Sequence, residues 1–324
     1  MKAISLKNPD DKTSLTLTDT PTPELKPGEV LVKVKAAGVN RADLLQAAGH
    51  YPPPPGASDI MGLECAGVIA DCGTAANQLG WGLKEGSEVA CLLAGGGYAE
   101  YVAVPAGQVM PLPEGYSFVE AAAIVEVATT VFSNVIMRAG LQAGQKLLIH
   151  GGAGGIGTFA IQFAKHLGCT VAVTAGSAEK LQLCKDLGAD ILINYKEQDF
   201  AEELRGSCDV ILDIMGAKYL DKNITALAKD GHLVIIGMQG GVKAELNIGK
   251  LLAKRGSISA TALRARDPED KAAIVRATVE AVWPLLAEGT IKHQVHSTYP
   301  LSDAARAHAD LAGGSTHGKL VLVA

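Results

Sequence analysis

Residues 146–168 of the chain are KLLIHGGAGGIGTFAIQFAKHLG. A continuous apolar run over 146–152 predicts a buried strand, and 154–168 has the pattern of a helix. Between them lies Gly152-Ala-Gly154-Gly-Ile-Gly157, a G-x-G-x-x-G. In such turns the first glycine permits a tight bend, the second lets the backbone approach a pyrophosphate, and the third lets helix and strand pack closely. The stretch therefore predicts a dinucleotide-binding turn; the alternative is a purely structural turn.

The phosphates are expected at the start of this helix, where free N–H groups and the positive end of the helix dipole point outward. The cofactor-binding residues predicted there are Gly154, Gly155 and Ile156.

Downstream, apolar runs continue to alternate with helical patterns. Strands are predicted at 170–176, 191–194, 209–215, 232–238 and 257–263, and helices at 179–189 and 268–288. Continuous Val/Ile/Leu runs separated by helices are typical of a parallel sheet covered on both faces. The fold class is therefore α/β, with a doubly wound parallel sheet of the Rossmann type.

The beginning of the chain has a different pattern. In GEVLVKVKAAGV, residues 28–39, apolar and polar positions alternate as in a half-buried antiparallel strand. The first 120 residues are mostly β in character, 117–140 is helix-like, and strand patterns return after 290. We predict a β-rich domain built from 1–120 and 290–324, with the dinucleotide-binding domain at 121–289 between them.

Composition excludes several classes of protein. With 48% hydrophobic and 19% charged residues the chain is not disordered, and a net charge of −5 does not favour nucleic acid as a partner. Six scattered cysteines without a C-x-x-C pair suggest reduced thiols in a cytoplasmic protein. The start lacks an apolar signal core and no apolar run approaches 18 residues, so we expect a soluble protein that does not span a membrane.

The second predicted strand indicates which dinucleotide binds. An NAD site usually carries an acidic residue about 20 residues after the turn, bonded to the ribose hydroxyl. Here Thr174-Ala175-Gly176-Ser177 holds that place, Lys180 follows one helical turn later, and Tyr195 follows the third strand. A 2′-phosphate would be repelled by a carboxylate and attracted by a hydroxyl and an ammonium. We therefore predict NADPH; the alternative for Lys180 is a solvated surface charge.

Several motifs in order resemble the zeta-crystallin-type quinone oxidoreductases of the medium-chain dehydrogenase/reductase superfamily. They are GVNRADLLQAAGHYPPPPGASDIMGLECAGVI (38–69), GGYAEYV (96–102), HGGAGGIGTFAIQFAK (150–165), INYK (193–196) and the closing GKLVLV (318–323). The resemblance covers nearly the whole chain. It implies a GroES-like fold for the β-rich domain and a homodimer formed through edge strands, for which 257–263 is the candidate.

The alcohol dehydrogenases of that superfamily bind catalytic zinc through a Cys and a His, and those places are Asn40 and Leu63 here. Leucine cannot bind a metal, and Asn is a poor zinc ligand. The cysteines lack metal-site spacing and are expected to be buried small hydrophobes. His293 and His296 are expected to be surface groups. No metal is predicted, which disfavours alcohol oxidation and favours reduction of an electrophilic acceptor.

The resemblance also assigns site residues. Asn40, Asp43 and Tyr51 are the predicted catalytic group, with Tyr51 bonding the substrate oxygen and delivering a proton. The alternatives are a packed tyrosine that holds the proline-rich loop and an Asp43 that caps a helix. The predicted cofactor contacts are Asn40, Tyr51, Thr130, Gly237, Met238, Leu263, Arg264 and Lys319; the alternative for Lys319 is a surface lysine.

These observations predict a zinc-independent NADPH:quinone oxidoreductase acting on a small-molecule quinone or conjugated carbonyl. One alternative is an NADPH-dependent alkenal/enone reductase, which would use the same groups. Another is a non-catalytic NADPH-binding sensor or crystallin-like protein, because the sequence offers no unambiguous catalytic acid.

Overall fold

The computed structural model describes residues 1–6, 8, 11 and 13–324. It divides into two compact units. The first unit comprises Met1–Thr129, Leu263–Gly289 and His293–Ala324, and the second comprises Thr130–Ala262 and Thr290–Lys292.

The first unit is β-rich. Its N-terminal elements are β1 (Lys2–Leu6), β2 (Leu15–Asp19), β3 (Glu29–Val39), α1 (Arg41–Ala47), β4 (Glu64–Asp71), β5 (Glu88–Leu92), β6 (Tyr101–Pro105), β7 (Val109–Pro111), α2 (Phe118–Ala122) and the start of α3 (Val125–Val131). Strands β1 and β2 form an antiparallel pair.

The second unit carries the Rossmann-type sheet. Its elements are β8 (Lys146–His150), α4 (Gly155–His166), β9 (Thr170–Ala175), α5 (Ala178–Asp186), β10 (Ile191–Asn194), α6 (Phe200–Glu203), β11 (Cys208–Asp213), α7 (Leu220–Ala226), β12 (Leu227–Ile235), α8 (Ile248–Lys254) and β13 (Ser257–Ala260). Its six strands are all parallel, in the order β10-β9-β8-β11-β12-β13. The predicted doubly wound parallel sheet is confirmed, and β13 lies at its edge.

The C-terminal elements are α9 (Pro268–Ala287), β14 (Val295–Pro300), α10 (Ala304–Gly313) and β15 (Lys319–Val323). Strands from both ends of the chain join in one sheet of the order β14-β15-β3-β4-β5-β7, and β6 also pairs with β3. The central strand β3 alternates as predicted, since Val30, Val32 and Val34 are buried while Lys33 is exposed. Both ends of the chain thus contribute strands to this sheet.

Helix α9 lies in the first unit, although its sequence was grouped with the dinucleotide-binding domain. The indole N–H of Trp283 donates to the Pro111 carbonyl at 2.8 Å. Gly107 is packed so closely that a Cβ on it would lie 2.6 Å from the Cβ of Ala272. These two contacts, with β7 and with the turn between β6 and β7, hold α9 in the first unit. The boundaries 1–120, 121–289 and 290–324 remain a prediction as folding domains.

Two local features were not predicted. The helix expected over 117–140 is interrupted, with α2 ending at Ala122, α3 at Val131, and a π-helical segment following over Phe132–Arg138. Helix α10 was not predicted.

One helical segment, Phe118–Arg138, is long and apolar enough to cross a membrane by length and composition. The sequence pattern does not reveal this segment, because Glu120 and Glu126 interrupt its apolar run. Its most apolar window is 78% buried inside the protein, as in the core helix of a soluble protein.

Candidate functional site

The glycine-rich turn of the second unit joins β8 to α4. Its left-handed residue is Gly151, with φ of 74°, rather than Gly152. Gly152 is required for packing instead, because a Cβ there would lie 2.8 Å from the Cβ of Val173. The predicted role of the first glycine in the motif therefore belongs to Gly151, one residue earlier.

The other two glycines of the motif differ in the space around them. A Cβ on Gly157 would lie 2.4 Å from the carbonyl oxygen of Gly152, so only glycine fits and α4 packs tightly on the turn as predicted. A Cβ on Gly154, the N-cap of α4, would meet the Gly151 oxygen at an ordinary 3.5 Å. The backbone beside Gly154 is thus open to a ligand that has to come close, as a pyrophosphate would.

Four predicted contacts lie together at the carboxyl ends of β9 and β10. Ser177 caps α5 and its Oγ accepts from the Lys180 amide at 3.3 Å. The Tyr195 phenol lies against Gly176, where a Cβ would be 2.4 Å from the Tyr195 oxygen. The Ser177 hydroxyl, the Lys180 backbone amide and the Tyr195 phenol therefore lie at the strand ends where an adenosine ribose is expected.

Gly237 and Met238 follow β12 and lie beside the segment after β11. A Cβ on Gly237 would be 2.8 Å from the Ile214 carbonyl oxygen. The buried Asp213 carboxylate holds this segment by accepting from the amides of Met215 at 2.7 Å and Gly216 at 3.0 Å. Burial raises the pKa of Asp213 to about 6. These loops lie at the carboxyl edge of the sheet, where open α/β sheets bind ligands.

A buried histidine supports the same edge. The Nε2 of His150 lies 2.8 Å from Asn223 Oδ1, and its Nδ1 lies 3.1 Å from Thr174 Oγ1. Burial lowers the pKa of His150 to about 4, so the ring is neutral at pH 7. Since an amide oxygen can only accept, Nε2 carries the proton and Nδ1 accepts from Thr174. The Thr174 carbonyl in turn accepts from the amides of Gly151 and Gly152.

Thr130, the remaining predicted contact in the second unit, is a buried residue of α3. Its carbonyl oxygen accepts from the Asn134 side chain at 2.8 Å.

In the first unit, Arg264 holds the loop that carries Tyr51. The buried guanidinium donates to the carbonyl oxygens of Ala94 and Tyr51 and to Gln46 Oε1, at 2.7, 2.9 and 2.7 Å. Its carbon lies 5.1 Å from the centroid of the Tyr51 ring. Burial is the main reason that the pKa of Arg264 is lowered.

The phenol of Tyr51 is half-buried. Among the residues that the structure describes, its hydroxyl has no hydrogen-bond partner. Burial, and secondarily the Glu126 charge, raise the pKa of Tyr51, so the phenol holds its proton at neutral pH. A protonated hydroxyl open to a ligand can donate a hydrogen bond to a substrate oxygen.

Asp43 is completely buried in a network within the same unit. Its carboxylate accepts from the amides of Asn40 and Gly62 at 2.8 and 3.1 Å, and from the Tyr98 hydroxyl at 3.1 Å. The Nε2 of His308 lies 3.2 Å from that hydroxyl. Burial raises the pKa of Asp43 to about 6 and lowers that of His308 to about 4. These contacts favour the helix-capping alternative over direct contact with a substrate.

Asn40 and Lys319 meet at the buried carboxylate of Glu64. The Lys319 ammonium donates to Glu64 Oε1 and Asn40 Oδ1, both at 2.6 Å, and to the Val39 carbonyl oxygen at 3.0 Å. The Asn40 amide nitrogen donates to the same Glu64 oxygen at 2.8 Å. Lys319 is therefore not the surface lysine of the alternative reading.

Known proteins resemble this chain in sequence and in structure. Residues 26–114 match the family model described as the alcohol dehydrogenase GroES-like domain, and 155–282 match the one described as zinc-binding dehydrogenase. The quinone oxidoreductase of Mus musculus is 30% identical over 318 residues, which cover 94% of this chain and 92% of the relative. The chain belongs to the quinone oxidoreductase family of the medium-chain dehydrogenase/reductase superfamily.

Two further relatives are informative. The crystal structure of Escherichia coli quinone oxidoreductase complexed with NADPH is 28% identical with a TM-score of 0.88, and each chain is fully covered. A highly reducing polyketide synthase of Emericella nidulans is 34% identical over 309 residues, which cover 92% of this chain but 12% of that protein. The predicted family, the GroES-like fold and the Rossmann-type fold are confirmed.

The name of one family model raises the question of zinc, and the side chains present do not fit that ion. Leu63 offers no donor atom, and the Asn40 oxygen already accepts from Lys319. Across residues 1–6, 8, 11 and 13–324, no three His, Cys, Asp or Glu side chains are grouped as a metal site. The six cysteines are buried, free thiols. This chain therefore resembles the family but lacks the superfamily's zinc ligands at these positions.

Sequence reasoning missed several of these groups. It did not consider Tyr98, His150 or His308. It also missed Lys271, a buried lysine of α9 whose pKa is lowered mainly by burial. Only a charged residue within an otherwise apolar helix pattern could have drawn attention to Lys271.

Proposed function

We propose that this protein is a zinc-independent, NADPH-dependent quinone reductase. The observation that carries the proposal is the grouping of Ser177, Lys180 and Tyr195 after β9 and β10, with no acidic residue in 174–177. A phosphorylated ribose fits such a set, because hydroxyl and ammonium groups bind phosphate where a carboxylate would repel it. The NADPH complex of the E. coli relative supports the same coenzyme.

The residues of the second unit fit this coenzyme. The backbone beside Gly154 leaves room for a pyrophosphate, and the first amides of α4 and its dipole favour a negative charge there. Gly237 and Met238 lie at the same carboxyl edge of the sheet. When bound, NADPH supplies a hydride.

The first unit supplies groups for the acceptor. Reduction of a quinone by a hydride also needs one proton, so that NADPH, a proton and the quinone give NADP⁺ and the hydroquinone. We assign delivery of one proton to the Tyr51 hydroxyl, which the Arg264 guanidinium orients. Asn40 contributes its amide, which Glu64 and Lys319 fix in one orientation. Asp43 acts by holding Asn40 through its backbone.

The test is steady-state reduction of ortho- and para-quinones with NADPH and with NADH, on protein whose zinc content has been measured. We expect turnover, a preference for NADPH, and less than stoichiometric zinc. A preference for NADH, or zinc that copurifies in stoichiometric amount and is needed for turnover, would contradict the proposal.

A second candidate acceptor is a conjugated alkenal or enone. The 34% identity to part of a protein named as a highly reducing polyketide synthase favours it. A panel of quinones, alkenals and enones at saturating NADPH separates the two by kcat/KM. Tight NADPH binding without turnover of any acceptor would indicate a binding protein instead.

We further propose that the protein is a cytoplasmic homodimer that uses neither a membrane nor nucleic acid as a partner. Among the strands that the structure describes, β13 pairs with β12 alone and leaves an edge that a second copy can extend. Val242, Ile248 and Leu252 lie close in sequence to that strand and are 72%, 69% and 72% exposed. Large apolar side chains exposed to this degree favour a surface that another molecule covers.

A further inference from the structure

A lysine ammonium is buried among three oxygen atoms at one end of the sheet in the first unit. Lys319 is 5% exposed, and its three N–H groups donate to Val39 O, Asn40 Oδ1 and Glu64 Oε1 at 3.0, 2.6 and 2.6 Å. An ammonium has three donors, so this set of oxygens, which we call the oxygen cradle, satisfies it completely. We propose that Lys319 is a resident cation tethered to the fold, and that it is a positioning residue for Asn40.

The charge of this cation is matched within the cradle. Glu64 is completely buried, and its Oε2 accepts from the Glu126 amide at 2.8 Å. Its Oε1 accepts from both Lys319 and Asn40. A buried ion pair contributes little net stability compared with apolar side chains of the same volume. Its presence here is therefore better explained by what it holds in place.

The backbone around the cradle is shaped to admit these groups. A Cβ on Gly38 would lie 2.2 Å from Glu64 Oε1, so glycine is required for the carboxylate to enter. Gly318, directly before Lys319, has φ of 58°, and a Cβ there would lie 2.1 Å from the Gln294 oxygen. Strand β15 pairs with β3 so that Leu320 lies opposite Val39. This pairing brings Lys319 to Asn40 across 279 positions of sequence.

The consequence is that both ends of the Asn40 amide are committed. Its oxygen accepts from Lys319 and its nitrogen donates to Glu64, so the side chain cannot rotate without breaking two hydrogen bonds, one of them to a full charge. In the superfamily's zinc enzymes this position belongs to a metal ligand. Here the covalently attached ammonium of Lys319 provides the positive charge in place of a metal ion. This replacement explains why the chain matches a family described as zinc-binding without having zinc ligands.

The role as a positioning residue rests on the proposed quinone reduction, so the experiment measures stability and catalysis separately. Lys319→Met leaves the Glu64 carboxylate buried and unpaired, and we expect a lower melting temperature and a lower kcat. Lys319→Met with Glu64→Gln removes both charges at similar volume. We expect this double variant to recover most of the melting temperature and still to show a kcat reduced by about tenfold, because Asn40 has lost its donor.

Lys2→Met is the matched control, since Lys2 belongs to an exposed ion pair with Asp19. It should leave both quantities unchanged. A double variant with the kcat of the wild type would overturn the positioning role and leave only a structural ion pair. If Lys319→Met does not fold, the double variant alone decides this comparison.

A second measurement does not depend on catalysis. Lys319→Ala should vacate the cradle for a small free cation. Its melting temperature should rise in ammonium or methylammonium chloride relative to sodium chloride of equal ionic strength, whereas that of the wild type should not. Equal melting temperatures of Lys319→Ala in all three salts would contradict a resident cation. If the wild type reduces no quinone, the proposed function fails while this comparison stays valid.

Discussion

The Arg264 guanidinium donates to the backbone carbonyl of Tyr51 at 2.9 Å while its carbon lies 5.1 Å from the centroid of the same tyrosine's ring. One cation therefore fixes both the backbone and the ring of the proposed proton donor. Among the described residues no carboxylate is bonded to the guanidinium, and three of its five donors reach neutral oxygens. Two substitutions can therefore be compared: one that removes the Tyr51 hydroxyl, and one that removes the guanidinium that holds Tyr51 in place.

Tyr51→Phe should lower kcat for quinones by about a hundredfold or more, the size of one lost acid catalyst, while changing the dissociation constant of NADPH far less. Steady-state kinetics and fluorescence titration measure the two quantities. Tyr101→Phe, a change to a half-buried tyrosine of β6, serves as the control. A Tyr51→Phe enzyme with full kcat would remove the phenol from the mechanism.

Arg264→Gln should cost more than Tyr51→Phe, because it also leaves buried carbonyls without donors. We expect the melting temperature to fall, corresponding to about 1–3 kcal/mol, together with a loss of kcat/KM. Calorimetry and kinetics on the same preparation measure both. Combining it with Tyr51→Phe should be clearly less than additive for kcat/KM. Full additivity would show that Arg264 acts independently of Tyr51.

Lys180→Ala should weaken NADPH binding by about 1–3 kcal/mol and leave NADH binding unchanged, because only the phosphorylated ribose needs the ammonium. The matched variant is Lys185→Ala, an exposed lysine in the last turn of the same helix. Titration with both coenzymes checks the difference. Equal weakening of NADPH and NADH would place Lys180 outside the phosphate site.

Gly157→Ala and Gly154→Ala form a contrasting pair. A Cβ at Gly157 meets two backbone oxygens at 2.4 and 2.6 Å, so this change should destabilise the fold by about 1–3 kcal/mol. A Cβ at Gly154 meets only an ordinary contact, so that variant should fold normally and lose coenzyme affinity. Melting curves and NADPH titrations distinguish them. Normal NADPH affinity in Gly154→Ala would show that the phosphates bind elsewhere.

Stability should depend on pH through His150. Its pKa is about 4 in the folded protein and 6.5 as the ordinary value, so below pH 6.5 the unfolded chain binds a proton that the folded chain does not. The free energy of unfolding should therefore fall between pH 6.5 and 4, by up to about 1.4 kcal/mol per pH unit from this group. Asp43 and Asp213, whose pKa values are raised to about 6, act in the opposite direction.

His150→Gln isolates the histidine, because an amide can donate to Asn223 and accept from Thr174 without titrating. The difference in unfolding free energy between wild type and variant should shrink or reverse as the pH falls from 6.5 to 4. His166→Gln, at an exposed position of α4, should show no such change. A difference independent of pH would mean that His150 is not held neutral in the fold.

Much of the fold could be predicted because its signals are local. The alternation of apolar runs and helices gave β10 at its observed bounds and most other strands of the second unit within one to three residues of theirs. The glycine motif identified the turn between β8 and α4. The interruption of α3 into a π-helix and the left-handed φ at Gly151 could not be predicted, since a pattern of residue types does not fix which glycine makes a bend.

The candidate site was only partly accessible to such reasoning. Gly176, Ser177, Lys180 and Tyr195 could be grouped from the sequence because they follow the ends of β9 and β10, and their role at the coenzyme stays a prediction. The Glu64–Lys319 pair joins residues 255 positions apart, and each alone resembles an ordinary surface charge. Tyr98 and His308 are likewise far apart in the sequence, by 210 positions, and neither residue alone indicates their contact. Contacts between residues so far apart in the sequence depend on which strands pair, and hydrophobic periodicity does not specify that pairing.

The insertion of β15 between β14 and β3 has a consequence for how the protein is made. The sheet of the first unit cannot close until residues 319–323 have left the ribosome, although their partner strand Glu29–Val39 is synthesised long before them. The second unit, by contrast, is nearly continuous in sequence and can complete its six strands earlier. Loops of this length make pairing slow, so nascent chains expose the edge of β3 throughout translation. Chaperone dependence in vivo should accordingly track the last strand rather than the nucleotide-binding sheet.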